Sequence, residues 1–145
     1  MKHDEATNII IIDGQGGKLG RQLIESLKAN YVDIFITAIG TNTIATVNML
    51  KGGADIGATG ENAVVVNCRT ADIILGPIGI VIADSLFGEI TPKMAQAVGQ
   101  SSAQRILIPV NKCGNYIVGI PDVTFTKLIE LTLETIKPFL ATKEH

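Results

Sequence analysis

The fold is decided by the stretch Asn8-Ile-Ile-Ile-Ile-Asp-Gly-Gln-Gly-Gly-Lys-Leu-Gly20 and by the segment that follows it. Its apolar run, Ile9 to Ile12, ends at Asp13-Gly14, where a glycine-rich turn begins. After the turn, apolar residues recur at the spacing of one helix face, namely Leu19, Leu23, Ile24 and Leu27. This order predicts a buried strand, a tight turn and an amphipathic helix, which together open a nucleotide-binding βαβ unit.

Each glycine of this turn can be given its own role. Gly14 permits the sharp turn out of the strand, while Gly16 and Gly17 allow a ligand to approach the backbone. Gly20 lies one helical turn before Ile24, where the lack of a side chain lets helix and strand pack closely. The pattern is G-x-G-x-x-x-G, one residue longer than the common dinucleotide fingerprint.

The turn and the helix N-terminus are therefore predicted to bind a phosphate through backbone N–H groups. The predicted binding residues here are Gly14, Gln15, Gly16, Gly17, Lys18 and Leu19. The alternative is a tight turn that binds nothing. Asp13 would repel a phosphate unless it turns away, binds a metal or contacts a hydroxyl; the simpler interpretation is that it accepts N–H bonds from its own loop.

Composition and the order of segments indicate one α/β domain. Of 145 residues, 46% are hydrophobic but only 4% aromatic, so Ile, Val, Leu and Ala must build the core, as in parallel sheets buried on both faces. Strand and helix patterns alternate along the chain. We predict a polar N-terminal tail, residues 1–7, and a single Rossmann-like domain, residues 8–141: a three-layer sandwich with a mostly parallel sheet of about five strands and helices on both faces.

Charge and cysteine content exclude several classes of protein. The net charge of −2 and the lack of a Lys/Arg cluster argue against nucleic-acid binding. Two cysteines far apart indicate neither a disulfide framework nor a zinc site, and no metal site is predicted. The polar start of the chain and the lack of a long apolar run predict a cytoplasmic protein that does not bind membranes.

After the first unit, the pattern predicts further strands at Asp33–Ile39, Asp72–Leu75, Arg105–Val110 and Tyr116–Ile120. Helices are predicted from Thr41 or Asn42, with Ile44, Val47 and Leu50 on one side; from Thr91-Pro92, with Met94, Ala95 and Val98 inward; and from about Thr124. Gly57–Gly60 is predicted as a loop. Glu61–Arg69 is compatible with strand or helix, and the need for a crossover favours helix.

The carboxyl ends of parallel strands form the expected site. Besides the first turn, the residues at these ends are Gly40-Thr41-Asn42, Gly76-Pro77 and Asn111-Lys112. Thr41 and Asn42 can bond a ribose or a phosphate, although helix capping also accounts for them. No acidic residue for an adenine ribose ends the second strand, which departs from a dinucleotide site. Asn111 and Lys112 would close the far side, and the alternative for Lys112 is a solvated charge.

Two further features allow other functions. Lys112 can lower the pKa of the Cys113 thiol and make it a nucleophile, although a small packed cysteine is the simpler interpretation; Cys68 is interpreted as packing. The apolar stretch Ile78–Phe87 can be internal or can form a subunit interface. No catalytic residue is assigned.

Several phrases of the sequence together resemble a family of short, uncharacterised bacterial proteins. They are Asp13-Gly-Gln-Gly-Gly, Gly40-Thr-Asn, Gly57-Ala-Thr-Gly-Glu-Asn62, Gly76-Pro-Ile-Gly-Ile-Val-Ile-Ala-Asp-Ser85 and Pro109-Val-Asn-Lys-Cys113. The resemblance runs from about Asn8 to Ile120. It implies a Rossmann-like fold, and it implies neither an activity nor a catalytic residue.

The leading hypothesis is a small cytoplasmic protein that binds a nucleotide, a dinucleotide or another phosphorylated metabolite. NAD or NADP is the first expectation for the cofactor, and a homo-oligomer is expected. The chain leaves no room for a separate substrate domain, so whether it is an enzyme stays open. The alternative is a non-catalytic oligomeric module that binds a partner and in which the glycine turn is structural.

Overall fold

The computed structural model describes residues 6–110, 112 and 114–141, the last of these by its backbone only. The strands are β1 (Thr7–Asp13), β2 (Ile34–Gly40), β3 (Ile56–Thr59), β4 (Ile73–Pro77) and β5 (Gln104–Ile108). The helices are α1 (Lys18–Asn30), α2 (Thr43–Lys51), α3 (Glu61–Asn67), α4 (Pro92–Gln100) and α5 (Phe125–Ala141), with a short 3₁₀ turn at Ile78–Val81. Of the predicted tail, Thr7 belongs to β1, and residues 1–5 lie outside the described residues.

All five strands are parallel and lie in the order β3-β2-β1-β4-β5. β1 is central: Ile9 lies opposite Ile36 of β2 on one side and Ile73 of β4 on the other. The predicted fold class, a Rossmann-like α/β sandwich with a parallel sheet of five strands, is confirmed.

Helices cover both faces of the sheet, and β1 alternates between the two cores. Ile9 and Ile11 pack with α1, α2 and α5, whereas Ile10 and Ile12 pack with α3 and α4. All four side chains are buried. Because both faces are covered, the strand appears in the sequence as an unbroken apolar run and shows no alternation.

Two segments have a different secondary structure from the one predicted. The segment Gly57–Gly60, predicted as a loop, contributes the edge strand β3, which runs beside β2 from Ile56 to Thr59. Tyr116–Ile120, predicted as a strand, pairs with none of the five strands and leaves the Tyr116 and Val118 side chains almost fully exposed. The chain adopts left-handed conformations at Gly114, just before this segment, and at Gly119 within it (φ 80° and 85°), and the second of these interrupts the extended run.

The predicted helices are found. Glu61–Asn67 is helical, and Thr91 caps α4 by accepting a bond from the Met94 backbone N–H at 3.1 Å. Met94, Ala95 and Val98 are buried as predicted. On α2 the outward side carries Ile44, Val47 and Leu50, whereas Ala45, Thr46 and Met49 are buried.

Candidate functional site

The strand order places a switch point at the carboxyl end of β1. From β1 the chain moves through α1 to β2 on one side, and it later returns through α3 to β4 on the other side. Connections that diverge in this way leave a crevice between the loops after the two strands, which is where open α/β sheets bind ligands. The glycine turn, residues 14–17, lies at this point.

The glycine turn is tight, and it places a residue without a side chain at the N-cap position of α1. Gln15 and Gly17 adopt left-handed conformations (φ 52° and 75°), and the Gly17 N–H donates to the Gly14 carbonyl at 2.9 Å. Gly17 is the N-cap residue and offers no side-chain acceptor to α1. Among the described residues 6–110, 112 and 114–141, no acceptor receives the backbone N–H of Gly16, Lys18 or Leu19. These three donors are therefore open to a ligand.

Asp13, the last residue of β1, binds the start of the turn and the first turn of α1 through its carboxylate. Its two carboxylate oxygens accept the backbone N–H groups of Gly14 and Gly20, both at 2.8 Å. Burial raises the pKa of Asp13, the two N–H bonds offset part of that effect, and the charge of Glu89 adds to the rise. The interpretation of Asp13 as an acceptor within its own loop is confirmed.

The glycines of the turn differ in their surroundings. A Cβ on Gly17 would lie 2.8 Å from the Ala45 carbonyl oxygen, so Gly17 is required by the close approach of α2 as well as by its positive φ. This packing accounts for Gly17 without a ligand. Gly20 is likewise closed, by Met49 of α2 and by Asp13 of β1. Gly16 has open space around it, so it is the glycine of the turn that a ligand can approach.

Glu89, which the sequence analysis did not single out, is bound to the turn from the loop between β4 and α4. One of its carboxylate oxygens accepts the Gln15 backbone N–H at 2.9 Å, the Asn42 side-chain amide at 3.0 Å and the Thr41 hydroxyl. Desolvation raises the pKa of Glu89, but these three bonds outweigh it and hold the pKa below its ordinary value. Glu89 lies far from β1 and β2 in sequence, within a loop of irregular pattern, so no spacing pointed to it.

The side of the turn that faces α2 is closed by further hydrogen bonds. The Asn42 amide donates to the Gln15 carbonyl, and the Asn48 amide donates to the Gly16 carbonyl, both at 2.9 Å. Asn42 also caps α2 by accepting the Ala45 N–H at 2.9 Å. The capping interpretation is thus confirmed for Asn42, whereas the Thr41 side chain binds the Glu89 carboxylate and does not cap α2.

On its other side the turn opens into a cleft of about 480 Å³. The polar part of the wall is the turn and the first residues of α1. The rest comes from the ends of β4 and β5, the loop before α4, and the start of α5 with the residues before it. The apolar lining residues are Pro77, Leu86, Pro109, Val110, Val123, Phe125 and Leu128. The Lys18 ammonium lies 4.9 Å from the centre of the Phe125 ring, so a cation stands between the turn and the apolar wall.

The structure brings only part of the predicted site together. The residues from Gly14 to Leu19 and Pro77 line the cleft. Gly40 and Gly76 are buried at strand ends, where a Cβ would meet Thr46 and the Ile12 carbonyl oxygen respectively. Lys112 is not among the residues that line the cleft, and its ammonium lies 3.8 Å from the Asp122 carboxylate. Asn111 and Cys113 lie outside the described residues.

The remaining candidates for chemistry are the two cysteines and a metal site. Burial raises the pKa of the Cys68 thiol to about 11, which leaves it protonated and agrees with its interpretation as packing. A nucleophilic Cys113 stays an untested prediction. In the described part of the chain, no cluster of three or more His, Cys, Asp or Glu residues is arranged to hold a metal ion. In that same part, no helix has the length and apolar character needed to cross a bilayer.

The apolar stretch Ile78–Phe87 is mainly internal. Ile80 and Leu86 are buried in the core beneath α3 and α4, whereas the Phe87 side chain is 97% exposed. Leu86 and Phe87 both adopt φ 55°, a conformation that side-chain-bearing residues rarely take. Most of the apolar surface of this stretch is therefore buried in the core of its own chain. That surface is not free to form the subunit interface that the alternative requires.

Comparison with known proteins places the chain in a family. No curated protein matches the sequence. A dodecameric FMN-dependent UbiX-like decarboxylase from Escherichia coli O157:H7 aligns in structure with a TM-score of 0.44 and 18% identity, covering 90% of this chain and 76% of that chain. The family described as a domain of unknown function (DUF3842) matches residues 8–141. Because this match spans nearly the whole chain, the protein belongs to that family, as the resemblance of its motifs had implied.

Proposed function

We propose that this protein binds a nucleotide or another phosphorylated metabolite, with the phosphate on the glycine turn. The observation that carries the proposal is the group of open N–H donors of Gly16, Lys18 and Leu19, which belong to residues lining a cleft at the switch point of a parallel sheet. A helix of 13 residues begins there with a glycine at its N-cap, and Asp13 accepts the N–H of Gly20 in its first turn. Within the described part of the chain, the N–H groups of Lys18 and Leu19 stay free at the positive end of the helix dipole, which favours an anion.

The rest of the cleft suits a flat, largely apolar group. Pro77, Pro109 and Phe125 line it beside aliphatic side chains, and such a wall can contact a base or another ring system. The Lys18 ammonium adds a positive charge close to the turn. A phosphorylated ligand would therefore place its charge on the turn and its ring against Phe125.

Among nucleotides, the sequence alone favours NAD and NADP, and FMN and mononucleotides are the alternatives to be tested against them. The cytoplasmic location and the homo-oligomeric state are also proposals. Light scattering at micromolar concentration tests the oligomeric state, because a strict monomer would remove it. Whether the bound molecule reacts is a question for turnover assays once a ligand is known.

The test is a thermal-shift screen with NAD, NADP, their reduced forms, ATP, GTP, FMN, AMP and simple sugar phosphates. A ligand at one hundred times its Kd stabilises the folded state by about 2.7 kcal/mol, which raises the Tm of a domain of this size by on the order of 5–10 °C. A clear response identifies the ligand class. A lack of response to every compound would make the turn structural.

The position of the ligand is tested with a matched pair of glycine variants. Gly16 and Gly99 both have open space where a Cβ would be added, but only Gly16 lies in the turn; Gly99 is in α4. We expect Gly16→Val to lose most of the ligand-induced shift and Gly99→Val to keep it. Equal shifts in the two variants would place the ligand away from the turn.

A further inference from the structure

We propose that Glu89 limits the ligand to a single phosphate group, so that the cleft takes a mononucleotide or another monophosphate and excludes dinucleotides. This inference rests on the proposed function, because it concerns which phosphorylated ligand the glycine turn accepts. It makes Glu89, in the loop before α4, a residue that determines specificity.

The Glu89 carboxylate lies where part of a dinucleotide would have to pass. In a dinucleotide site the pyrophosphate crosses the glycine turn, and one nucleoside then lies at the carboxyl end of β2. Glu89 stands on that route. Its carboxylate oxygen lies 2.8 Å from the point where a Gly14 Cβ would be, and the same oxygen is bound to Thr41 and Asn42 just beyond β2. A nucleoside at the end of β2 would have to displace it.

In the described part of the chain, few backbone N–H donors remain free at the turn and the start of α1. Asp13 takes the N–H groups of Gly14 and Gly20, and Glu89 takes that of Gln15. The donors that remain belong to Gly16, Lys18 and Leu19. They are enough for the oxygens of one phosphate. A second phosphate over the turn would meet the Glu89 carboxylate, and like charges at close range repel each other.

The loop that holds Glu89 is anchored by buried side chains and by backbone hydrogen bonds. Ile90 and Leu86 on either side of it are buried, at 0% and 5% exposure. The Asp84 N–H donates to the Ile90 carbonyl at 2.7 Å, and the Ile90 N–H donates to the Ser85 carbonyl at 3.2 Å. Because Leu86 and Ile90 are packed in the core and Ile90 is hydrogen-bonded to Asp84 and Ser85, moving Glu89 aside would require rearranging this loop.

The experiment compares two pairs of ligands that share one nucleotide half: AMP with NAD, and FMN with FAD. Kd values are measured by calorimetry for the wild type, for Glu89→Ala and for Glu130→Ala, a control that removes an exposed carboxylate of α5. We expect the wild type and the control to bind at least one mononucleotide and to bind its dinucleotide at least tenfold more weakly. Glu89→Ala should bind the dinucleotide at least tenfold more tightly than the wild type does.

A second variant, Glu89→Gln, keeps the inference testable if Glu89→Ala does not fold. Glu89→Gln keeps the shape and the acceptor oxygen but removes the charge, so it should keep mononucleotide binding and improve dinucleotide binding less than Glu89→Ala does. If the wild type binds NAD or FAD as tightly as AMP or FMN, the inference fails while the proposed function stands. If neither the wild type nor Glu89→Ala binds any of the four ligands, the inference fails. The proposed function fails with it only if the sugar phosphates and the other compounds of the thermal-shift screen also give no response.

Discussion

The two sides of the glycine turn, built from the same few residues, have opposite characters. We call them the α2 flank, which faces Asn42 and Asn48, and the cleft flank, which faces β4, β5 and α5. On the α2 flank the backbone groups of the turn are bound to side chains: Gln15 to Glu89 and Asn42, and Gly16 through its carbonyl to Asn48. On the cleft flank the open N–H donors meet a cleft of about 480 Å³.

This difference shows that a glycine-rich turn can serve packing and binding at once, with different glycines. Gly17 and Gly20 are required because α2 lies against them, and Gly14 is enclosed by Thr41, Glu89 and Leu86. Gly16 alone among these four has nothing within 4 Å of its Cβ position. A count of glycines in the motif therefore overstates the evidence for a ligand, whereas the surroundings of each glycine separate the two roles.

The largest effect is expected from Gly17→Ala, which tests the α2 flank. The new Cβ would lie 2.8 Å from the Ala45 carbonyl oxygen in a residue held at φ 75°. The left-handed conformation and the overpacking together should lower the free energy of unfolding by about 3 kcal/mol. Urea denaturation followed by circular dichroism measures it, and the Tm should fall by on the order of 10 °C.

The matched control is Gly16→Ala, on the neighbouring residue. Its Cβ would enter open space and its φ is not in the left-handed region, so the free energy of unfolding should change by no more than about 0.5 kcal/mol. Equal losses of stability in the two variants would contradict the assignment of Gly17 to packing and Gly16 to the open flank.

A smaller effect is expected from Glu89→Gln, which weakens the closure of the α2 flank. The amide keeps an acceptor for Gln15, Thr41 and Asn42 but loses the charge that strengthens their bonds, so stability at pH 7 should fall by about 1 kcal/mol. Urea denaturation from pH 3 to pH 7 measures how this difference depends on protonation.

The direction of the pH dependence follows from the shifted pKa. The pKa of Glu89 in the folded protein lies below its ordinary value of 4.5, so its charge stabilises the folded state fully above that value. The contribution is lost as the pH falls through the folded pKa. The wild type should therefore exceed Glu89→Gln in stability at pH 7 and lose that advantage in acid. A difference that stays constant down to pH 3 would show that the carboxylate charge has no part in closing this flank.

Much of the fold could be predicted because the central strand and its turn carry strong local signals. Ile9 to Ile12 form an unbroken apolar run, and both faces of that strand are covered. The edges of the sheet were less predictable. β3 is four residues long and contains Gly57, so its sequence resembles a loop, whereas Tyr116–Ile120 has strand-like residues but turns at the left-handed Gly119.

The candidate site divides in the same way. Apart from Pro77, the apolar wall of the cleft, which includes Pro109 and Phe125, was not predicted. The N–H donors of the cleft flank could be predicted from the sequence, since they follow directly from a strand, a turn and a helix in succession. Glu89 could not, because it reaches the turn across the sheet from a loop 74 residues further along the chain than Gln15. Such a contact depends on the tertiary fold and leaves no periodic pattern.

The smallest effect is expected in the loop that carries Glu89 to the α2 flank. Phe87 is held at φ 55° with 97% of its side chain exposed, so Phe87→Gly relieves the left-handed conformation and removes no packing; the free energy of unfolding should rise by about 0.5–1 kcal/mol. Leu86→Gly is the matched control. Leu86 has the same φ but is buried, so the same relief is outweighed by the lost core contacts and stability should fall by about 2 kcal/mol. Because the loop should keep its conformation in Phe87→Gly, that variant should also keep the pH dependence that Glu89 confers. A stabilised Phe87→Gly that lost this dependence would mean that the strained backbone at Phe87, and not the buried residues around Glu89, holds the carboxylate on the turn.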